Sequence, residues 1–150
     1  MVIRHPRDEN EMLTLGYAVG KMLCAGDLVL VDGPLGAGKT TFAKGVGIAL
    51  GLNAQDVRSP TYSILELYPT QPRFAHSDLY RLSDQQLPDL GLSEIFDPYT
   101  IGLVEWGAHK LPRIFPRQLE VTIAIGTGGM RDVQLIGRST AMTRRLKSLT

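Results

Sequence analysis

The sequence predicts an α/β domain with an antiparallel strand pair at its C-terminal side. Its 150 residues suit one domain of ordinary size. Short apolar runs at residues 28–32 and 100–106 are typical of strands that are buried on both faces. Two further strand-like runs near the C-terminus are separated by Gly128 and Gly129, which suits a hairpin. Strands that alternate with loops and helices in this order favour the α/β class.

The first predicted helix begins at Asp8, which forms a capping-box pattern with Glu11 three residues later. Apolar residues then recur at helical spacing as far as Leu23. Cys24 follows this pattern, and we expect it to be a small buried residue and not a nucleophile. Because it is the only cysteine of the chain, an internal disulfide and a cysteine metal cluster are excluded.

The second predicted helix follows the first apolar run, and its interior Gly45 and Gly47 predict close packing against the sheet. Residues 83–99 are expected to be short helical or irregular structure. The other strand-like runs are residues 61–69, 71–78, 119–126 and 131–137, and a last helix is expected over residues 139–150.

The charge balance argues against a general affinity for polyanions. The formal net charge is +1, so contact with a nucleic acid must be local or shared with a partner. The basic side chains of the tail, Arg138, Arg144, Arg145 and Lys147, either touch tRNA or form a solvated helix face, and we expect the solvated face. The first residues are charged where a signal peptide needs an apolar core, and no apolar run has the length of a membrane span. We therefore expect a cytoplasmic protein without a membrane partner.

A glycine-rich loop carries the clearest chemistry. Residues 33–40 match the pattern G-x-x-x-x-G-K-[ST] at every fixed position, between a predicted buried strand and a predicted helix. Glycines let main-chain N–H groups face a phosphate, the lysine adds a mobile positive charge, and the threonine offers a hydroxyl to Mg²⁺. The residues expected to contact ATP are Gly33, Gly36, Ala37, Gly38, Lys39, Thr40 and Thr41.

Two acidic residues end predicted strands and complete the expected site. Glu105 ends the second buried strand and is the candidate for organising Mg²⁺ together with Thr40. Asp78 ends another strand-like run, where it either polarises water or holds metal, or else forms a turn. His76, two residues before it, is expected to be a hydrogen-bonded structural residue. Which acid positions the attacking water stays open at this point.

Two other residues have both a functional and a structural interpretation. Thr61, in the sequence Ser-Pro-Thr-Tyr, lies where many nucleotide switches contact phosphate or metal, and it also suits a simple strand entry. Trp106, next to Glu105, is either a core side chain or an exposed anchor for a partner.

Four segments together resemble the TsaE family, the bacterial P-loop ATPases of tRNA threonylcarbamoyladenosine synthesis. They are GPLGAGKTT, SPTY, HSDLYRL and VEW, and the resemblance spans nearly the whole chain. It implies one P-loop NTPase-like domain over residues 1–150, with a mixed, mainly parallel sheet flanked by helices. It also implies weak ATP hydrolysis and the partner proteins TsaB and TsaD, through which the chain meets tRNA indirectly.

The resemblance also implies roles for individual residues. TsaD transfers a threonylcarbamoyl group to adenosine in the anticodon loop of tRNAs that read ANN codons, and TsaE uses ATP to reset the complex. By this resemblance Thr61 belongs to a nucleotide-sensing loop, Glu105 organises the metal, Asp78 is a second functional acid and Trp106 lies near the active centre.

The sequence therefore predicts Mg²⁺-assisted attack of water on the γ-phosphate of ATP, with Lys39, Asp78 and Glu105 as catalytic residues. A small-molecule kinase is the first alternative, although residues 83–99 contain no arginine for a lid. A nucleotide-gated binding module with negligible catalysis is the second. A GTPase is disfavoured because the chain contains neither N-K-x-D nor D-x-x-G.

Overall fold

A computed structural model describes residues 1–111 and 117–149 of the chain. The strands are β1 (Val2–Arg4), β2 (Leu28–Asp32), β3 (Leu65–Tyr68), β4 (Arg73–Asp78), β5 (Thr100–Glu105), β6 (Leu119–Ile125) and β7 (Arg131–Gly137). The helices are α1 (Glu9–Gly20), α2 (Lys39–Ala49), α3 (Leu92–Ile95), α4 (Gly107–Lys110) and α5 (Thr140–Leu146).

The described strands form one mixed sheet in the order β1-β7-β6-β2-β5-β4-β3. β2 lies at its centre and pairs in parallel with β5 and β6, while β4 pairs in parallel with β5. The outer pairs, β1 with β7, β6 with β7 and β3 with β4, are antiparallel. The predicted α/β class, the mainly parallel centre and the C-terminal antiparallel pair are therefore confirmed.

The central strand is buried on both faces because each face carries its own apolar cluster. Val29 and Val31 of β2 pack into the cluster that contains the apolar sides of α1, α2 and α5. Leu28 and Leu30 point the other way, into a smaller cluster that includes Leu79 from the segment after β4. This alternation explains the continuous apolar run of the sequence, since neither face of β2 meets water.

Glycines set the distance between α1 and α2. A Cβ atom on Gly45 would lie 2.2 Å from the carbonyl oxygen of Leu13, and one on Gly16 would lie 2.1 Å from that of Phe42. The predicted close packing of Gly45 against the sheet is wrong, because its neighbour is the backbone of α1. Gly47 lies beside Val57, where a Cβ would approach a methyl group at 2.6 Å.

The structure corrects the sequence prediction at Cys24. Helix α1 ends at Gly20, so Cys24 lies in the following turn, where its side chain is exposed. Its backbone N–H donates to Asp27 Oδ2 at 2.7 Å. Apolar spacing that continues past Gly20 predicts helix there, although the chain turns toward β2.

Two other elements differ from expectation. The short edge strand β1 was not predicted, and the strand expected over residues 61–69 is confined to β3. Residues 61–63 form a turn, and Ile64 has a left-handed φ of 69°. The strand-like composition of that stretch therefore reflects its apolar and β-branched side chains and not an extended backbone.

The C-terminal tail is helical as predicted, but its arginines are not simply solvated. Arg145 donates to Asp27, with 2.6 Å between Nη1 and Oδ2, and Arg138 pairs with Glu120. Thr150, the last residue of the predicted helix, lies outside the described residues. Within residues 1–111 and 117–149, no helix combines the length and apolar character needed to span a bilayer.

Candidate functional site

The glycine-rich loop connects β2 to α2, and its backbone explains two of its glycines. Gly36 has a φ of 76° and Gly38, the N-cap of α2, has a φ of 106°, conformations that side chains disfavour. A Cβ on Gly36 would meet no atom within 4 Å, so at this position the backbone conformation and not space favours glycine. The loop therefore turns the N-terminus of α2 toward the carboxyl end of the sheet.

Lys39 is the first residue of α2, and its largely buried side chain reaches back to the glycine-rich loop. Its Nζ donates to the carbonyl oxygens of Gly33 and Pro34, both at 2.8 Å, and lies 4.4 Å from the centroid of the Trp106 ring. Burial lowers the pKa of Lys39, while nearby carboxylates, first that of Glu105, oppose this change. The ammonium group is thus held beside the loop by polar and cation–π contacts.

Thr40 and Glu105 meet across the junction of helix and sheet. The Thr40 hydroxyl donates to Glu105, with Oγ1 at 3.2 Å from Oε1 and 3.5 Å from Oε2. Glu105 is only 2% exposed and lies opposite Val31, the residue before the last of β2. A hydroxyl and a carboxylate at this spacing are oxygen ligands of the kind that Mg²⁺ prefers.

Mg²⁺ sites in nucleotide enzymes use one or two carboxylates and the phosphates of the substrate. In the described ranges, no cluster of three or more histidine, cysteine or acidic side chains could hold a metal by itself. The pair formed by Thr40 and Glu105 therefore fits a metal that arrives with a nucleotide.

Asp78 ends β4 directly opposite Glu105 on β5. Its Oδ2 accepts hydrogen bonds from Thr61 Oγ1 at 3.1 Å and Ser59 Oγ at 3.3 Å, and its Oδ1 accepts one from the Tyr80 N–H at 2.9 Å. The carboxylate thus fixes the loop that carries Thr61 and the segment that follows β4. The two acids predicted from separate strand ends are brought to one place.

A cleft of about 380 Å³ collects most of the predicted residues. It is lined by Leu35, Gly36, Gly38, Lys39, Thr40, Thr41, Ser59, Thr61, Asp78, Tyr80 and Glu105. Three predicted residues lie elsewhere: Gly33 accepts a hydrogen bond from Lys39, Ala37 faces a neighbouring cleft, and the ring of Trp106 packs on Lys39.

The neighbouring cleft, of about 280 Å³, was not predicted. It lies between the glycine-rich loop, the start of α1 and the turn between β6 and β7, and it shares Gly36, Gly38 and Thr41 with the first cleft. Arg131 borders it and donates to Ala37 O at 3.0 Å and Gly36 O at 3.1 Å. No motif marks Arg131 in the sequence, because only the hairpin brings it to the loop.

Trp106 follows Glu105 with a left-handed backbone, at a φ of 63°. Such a conformation is uncommon for a residue with a large side chain and stores some strain. The backbone N–H of Trp106 donates to Val31 O at 3.0 Å, and the centroid of its ring lies 4.9 Å from that of Tyr80. The sharp turn places the indole between Tyr80 and Lys39, a half-buried position that is neither core nor an isolated surface anchor.

Asp32, the last residue of β2, is a buried acid that sequence reasoning did not single out. Its Oδ2 accepts from the Ala108 N–H at 2.9 Å, while Oδ1 has no hydrogen-bond partner among the described residues. Burial raises the pKa of Asp32 above its ordinary value. Its carboxyl group ties the strand that precedes the loop to α4, which follows Trp106.

Comparison with known proteins agrees with this architecture. A family profile described as threonylcarbamoyl adenosine biosynthesis protein TsaE matches residues 6–133, a range that includes the residues of both clefts. A Mycobacterium tuberculosis protein named tRNA threonylcarbamoyladenosine biosynthesis protein TsaE is 40% identical over 129 residues, covering 79% of this chain and 75% of that protein.

A Bacillus subtilis protein of the same name is 40% identical over 123 residues, covering 77% of this chain and 75% of the relative. The crystal structure of YdiB from that organism superposes with a TM-score of 0.80 at 25% identity. The superposition covers 99% of this chain and 93% of YdiB.

Proposed function

Because this chain belongs to the TsaE family of threonylcarbamoyl adenosine biosynthesis proteins, we propose that it is a Mg²⁺-dependent ATPase. In this proposal it acts with the partner proteins TsaB and TsaD in the threonylcarbamoyl modification of adenosine in the anticodon loop of tRNAs that read ANN codons. TsaD carries out the transfer, and this chain uses ATP to reset the complex, so it meets tRNA only indirectly.

One observation carries the ATPase part of the proposal. Thr40 and Glu105 make a 3.2 Å contact beside Lys39, at the N-terminus of a helix that follows a glycine-rich loop. The loop N–H groups and Lys39 bind the phosphates, and Thr40 and Glu105 hold Mg²⁺. When bound, the metal would supply positive charge that offsets the negative charge of the phosphates.

We assign the orientation of the attacking water to Asp78. Glu105 is engaged by Thr40 and faces the metal position, whereas Asp78 lies at the end of the adjacent strand and lines the same cleft. A carboxylate there accepts a hydrogen bond from water and turns its oxygen toward the γ-phosphate. Thr61 is hydrogen-bonded to Asp78, so the conformation of the loop that carries Thr61 would depend on whether the γ-phosphate is present.

The second cleft suits the nucleoside part of ATP. It is continuous with the phosphate cleft through Gly36, Gly38 and Thr41, and one side is formed by Met12 from α1. A base in this cleft would lie against the stem of Arg131 and the small exposed part of Met12, which is 2% exposed. Two adjoining clefts therefore accommodate a nucleotide better than an isolated phosphate.

The proposal is tested by measuring phosphate release from ATP by the full chain, alone and with TsaB and TsaD. We expect slow release alone and faster release with the partners, and equal rates would contradict the proposed partnership. Product analysis separates the alternatives, because a phosphorylated metabolite would identify a kinase. ATP-dependent binding to the partners that survives both Asp78→Ala and Glu105→Ala would identify a binding module without catalysis.

A further inference from the structure

The carboxylate of Glu105 is contacted from two directions. On the cleft side, Thr40 Oγ1 lies 3.2 Å from Oε1, and on the interior side, His76 Nε2 lies 2.9 Å from the same oxygen. His76 belongs to β4, the parallel neighbour of β5, and precedes Asp78 by two residues, so both side chains project from the same face of the strand. The imidazole therefore lies directly behind the proposed metal ligand.

Core packing alone does not explain a histidine at this position. The ring of His76 is 0% exposed and stacks on Phe74, with 6.1 Å between centroids and 16° between planes. Its Nδ1 has no hydrogen-bond partner among the described residues. A buried polar atom without a partner disfavours the folded state, and an apolar side chain would fill the same space without that penalty. Buried polar atoms without partners, like other departures from the usual rules of packing, occur most often at functional sites.

The contact between the two side chains has a definite direction. A carboxylate can only accept a hydrogen bond, so His76 Nε2 carries the hydrogen and donates it to Glu105 Oε1. The donation fixes the position of Oε1 and restricts rotation of the carboxylate. Oε1 is therefore shared by His76 and Thr40, and Oε2 lies slightly farther from Thr40 Oγ1, at 3.5 Å.

We propose that His76 is a positioning residue that orients the Glu105 carboxylate for Mg²⁺, an inference that rests on the proposed function. His76 itself contacts neither the metal nor the nucleotide, because it does not line the cleft. Groups that orient a metal ligand from behind change metal affinity by about 10- to 100-fold when they are replaced. The role extends the site inward from Thr40 and Glu105 to a residue of the neighbouring strand.

The first test compares His76→Leu and His76→Gln by calorimetry of ADP binding to the full chain, in Mg²⁺ and in EDTA. We expect His76→Leu to reduce the gain in ADP affinity caused by Mg²⁺ by about 10- to 100-fold, with affinity in EDTA unchanged. His76→Gln keeps an N–H group and should recover part of the gain. His5→Leu replaces an exposed histidine and serves as the matched control.

The outcomes separate this inference from the function on which it rests. An unchanged Mg²⁺ gain in His76→Leu, or an equal loss of affinity in Mg²⁺ and in EDTA, would overturn the positioning role while leaving the nucleotide site intact. A wild-type chain that binds no nucleotide, or gains nothing from Mg²⁺, would instead overturn the proposed function and the inference with it.

A second measurement does not depend on the folding of a variant. Imidazole ¹⁵N NMR of the wild-type chain should show His76 with hydrogen on Nε2, identified by its slow exchange in D₂O because the ring is fully buried. Adding Mg²⁺ to the ADP-bound chain should shift this Nε2 resonance, while those of the exposed His5 and His109 stay in place. An Nε2 that carries no hydrogen, or an Nε2 resonance that does not shift when Mg²⁺ is added, would contradict the proposal.

Discussion

The hydroxyl of Thr40 lies 3.2 Å from the carboxylate of Glu105, although the two residues are 65 positions apart in the chain. The contact exists because β2 and β5 are parallel neighbours, so the loop after β2 and the last residue of β5 reach the same edge of the sheet. Parallel α/β sheets bind ligands at this edge. The proposed chemistry depends on this one junction between the first and second halves of the domain.

Replacing Glu105 by glutamine should remove the dependence of nucleotide binding on Mg²⁺. The amide keeps the shape of the side chain but loses the negative charge that a hard cation requires. We expect calorimetry to give similar ADP affinities in Mg²⁺ and in EDTA for Glu105→Gln, and a strong difference for the wild type. Glu94→Gln, at an exposed position, should behave as the wild type. A variant that keeps the full Mg²⁺ gain would exclude Glu105 as the metal ligand.

Lys39→Ala should lower kcat/KM for ATP by about 100-fold or more, because the transferred phosphoryl group loses the positive charge of the ammonium group. Phosphate-release assays at varied ATP concentration provide the measurement. Lys21→Ala, which removes an exposed lysine at the end of α1, should leave the kinetics unchanged. Wild-type turnover in Lys39→Ala would show that the loop is not where ATP reacts.

Asp78→Asn should reduce kcat by about 100-fold or more while ADP affinity stays near the wild-type value, as expected of a residue that acts on water and not on the bound phosphates. Single-turnover hydrolysis and ADP calorimetry measure the two quantities separately. Asp84→Asn is the control, since Asp84 is exposed. Equal losses in turnover and ADP binding would mean that Asp78 acts through the Thr61 loop and not on water.

Trp106 provides a direct optical test, because it is the only tryptophan of the chain. Its ring lies 4.4 Å from Lys39 Nζ, so drawing the ammonium group toward a phosphate should change the emission of the indole. Titration with ADP and Mg²⁺ should therefore give a saturable fluorescence change with the same affinity as calorimetry. Nucleotide binding without any change in emission would contradict the proposed movement of Lys39.

Asp32 predicts a specific pH dependence of stability. Burial raises the pKa of Asp32 in the folded chain above the ordinary value of 3.8, because burial favours the neutral carboxyl group. The stability that this group contributes is therefore fully present below pH 3.8 and is lost as the pH rises through the folded pKa. The wild type should thus lose stability relative to Asp32→Asn as pH increases from about 4 toward neutrality. Urea unfolding of both proteins across this pH range measures the difference, and a constant difference would refute the assignment.

Local patterns predicted the parts of the fold whose structure is decided locally. The glycine-rich loop, its flanking strand and helix, and the N-cap at Asp8 follow from backbone conformation and capping, which a short stretch of sequence encodes. The sequence also predicted that Asp78 and Glu105 lie in one site, because each ends a strand and parallel strands end at the same side of a sheet.

The features that were missed depend on contacts between distant parts of the chain. The short β1 exists through pairing with β7, and no three-residue pattern marks an edge strand. The contacts of Arg131 with the loop and of His76 with Glu105 require the hairpin position and the register of β4 on β5. The prediction that Cys24 is buried was wrong, because apolar spacing does not show where a helix ends.

The crossing of α1 and α2 at Gly16 and Gly45 has a consequence for genetics. A single added methyl group at either position would collide with a main-chain carbonyl of the opposite helix, at 2.1 or 2.2 Å. The helices would have to separate, and α2 would shift with the lysine and threonine at its first turn. A screen for inactive alleles should therefore recover alanine at Gly16 or Gly45 beside changes of the loop itself, although neither glycine lines the clefts.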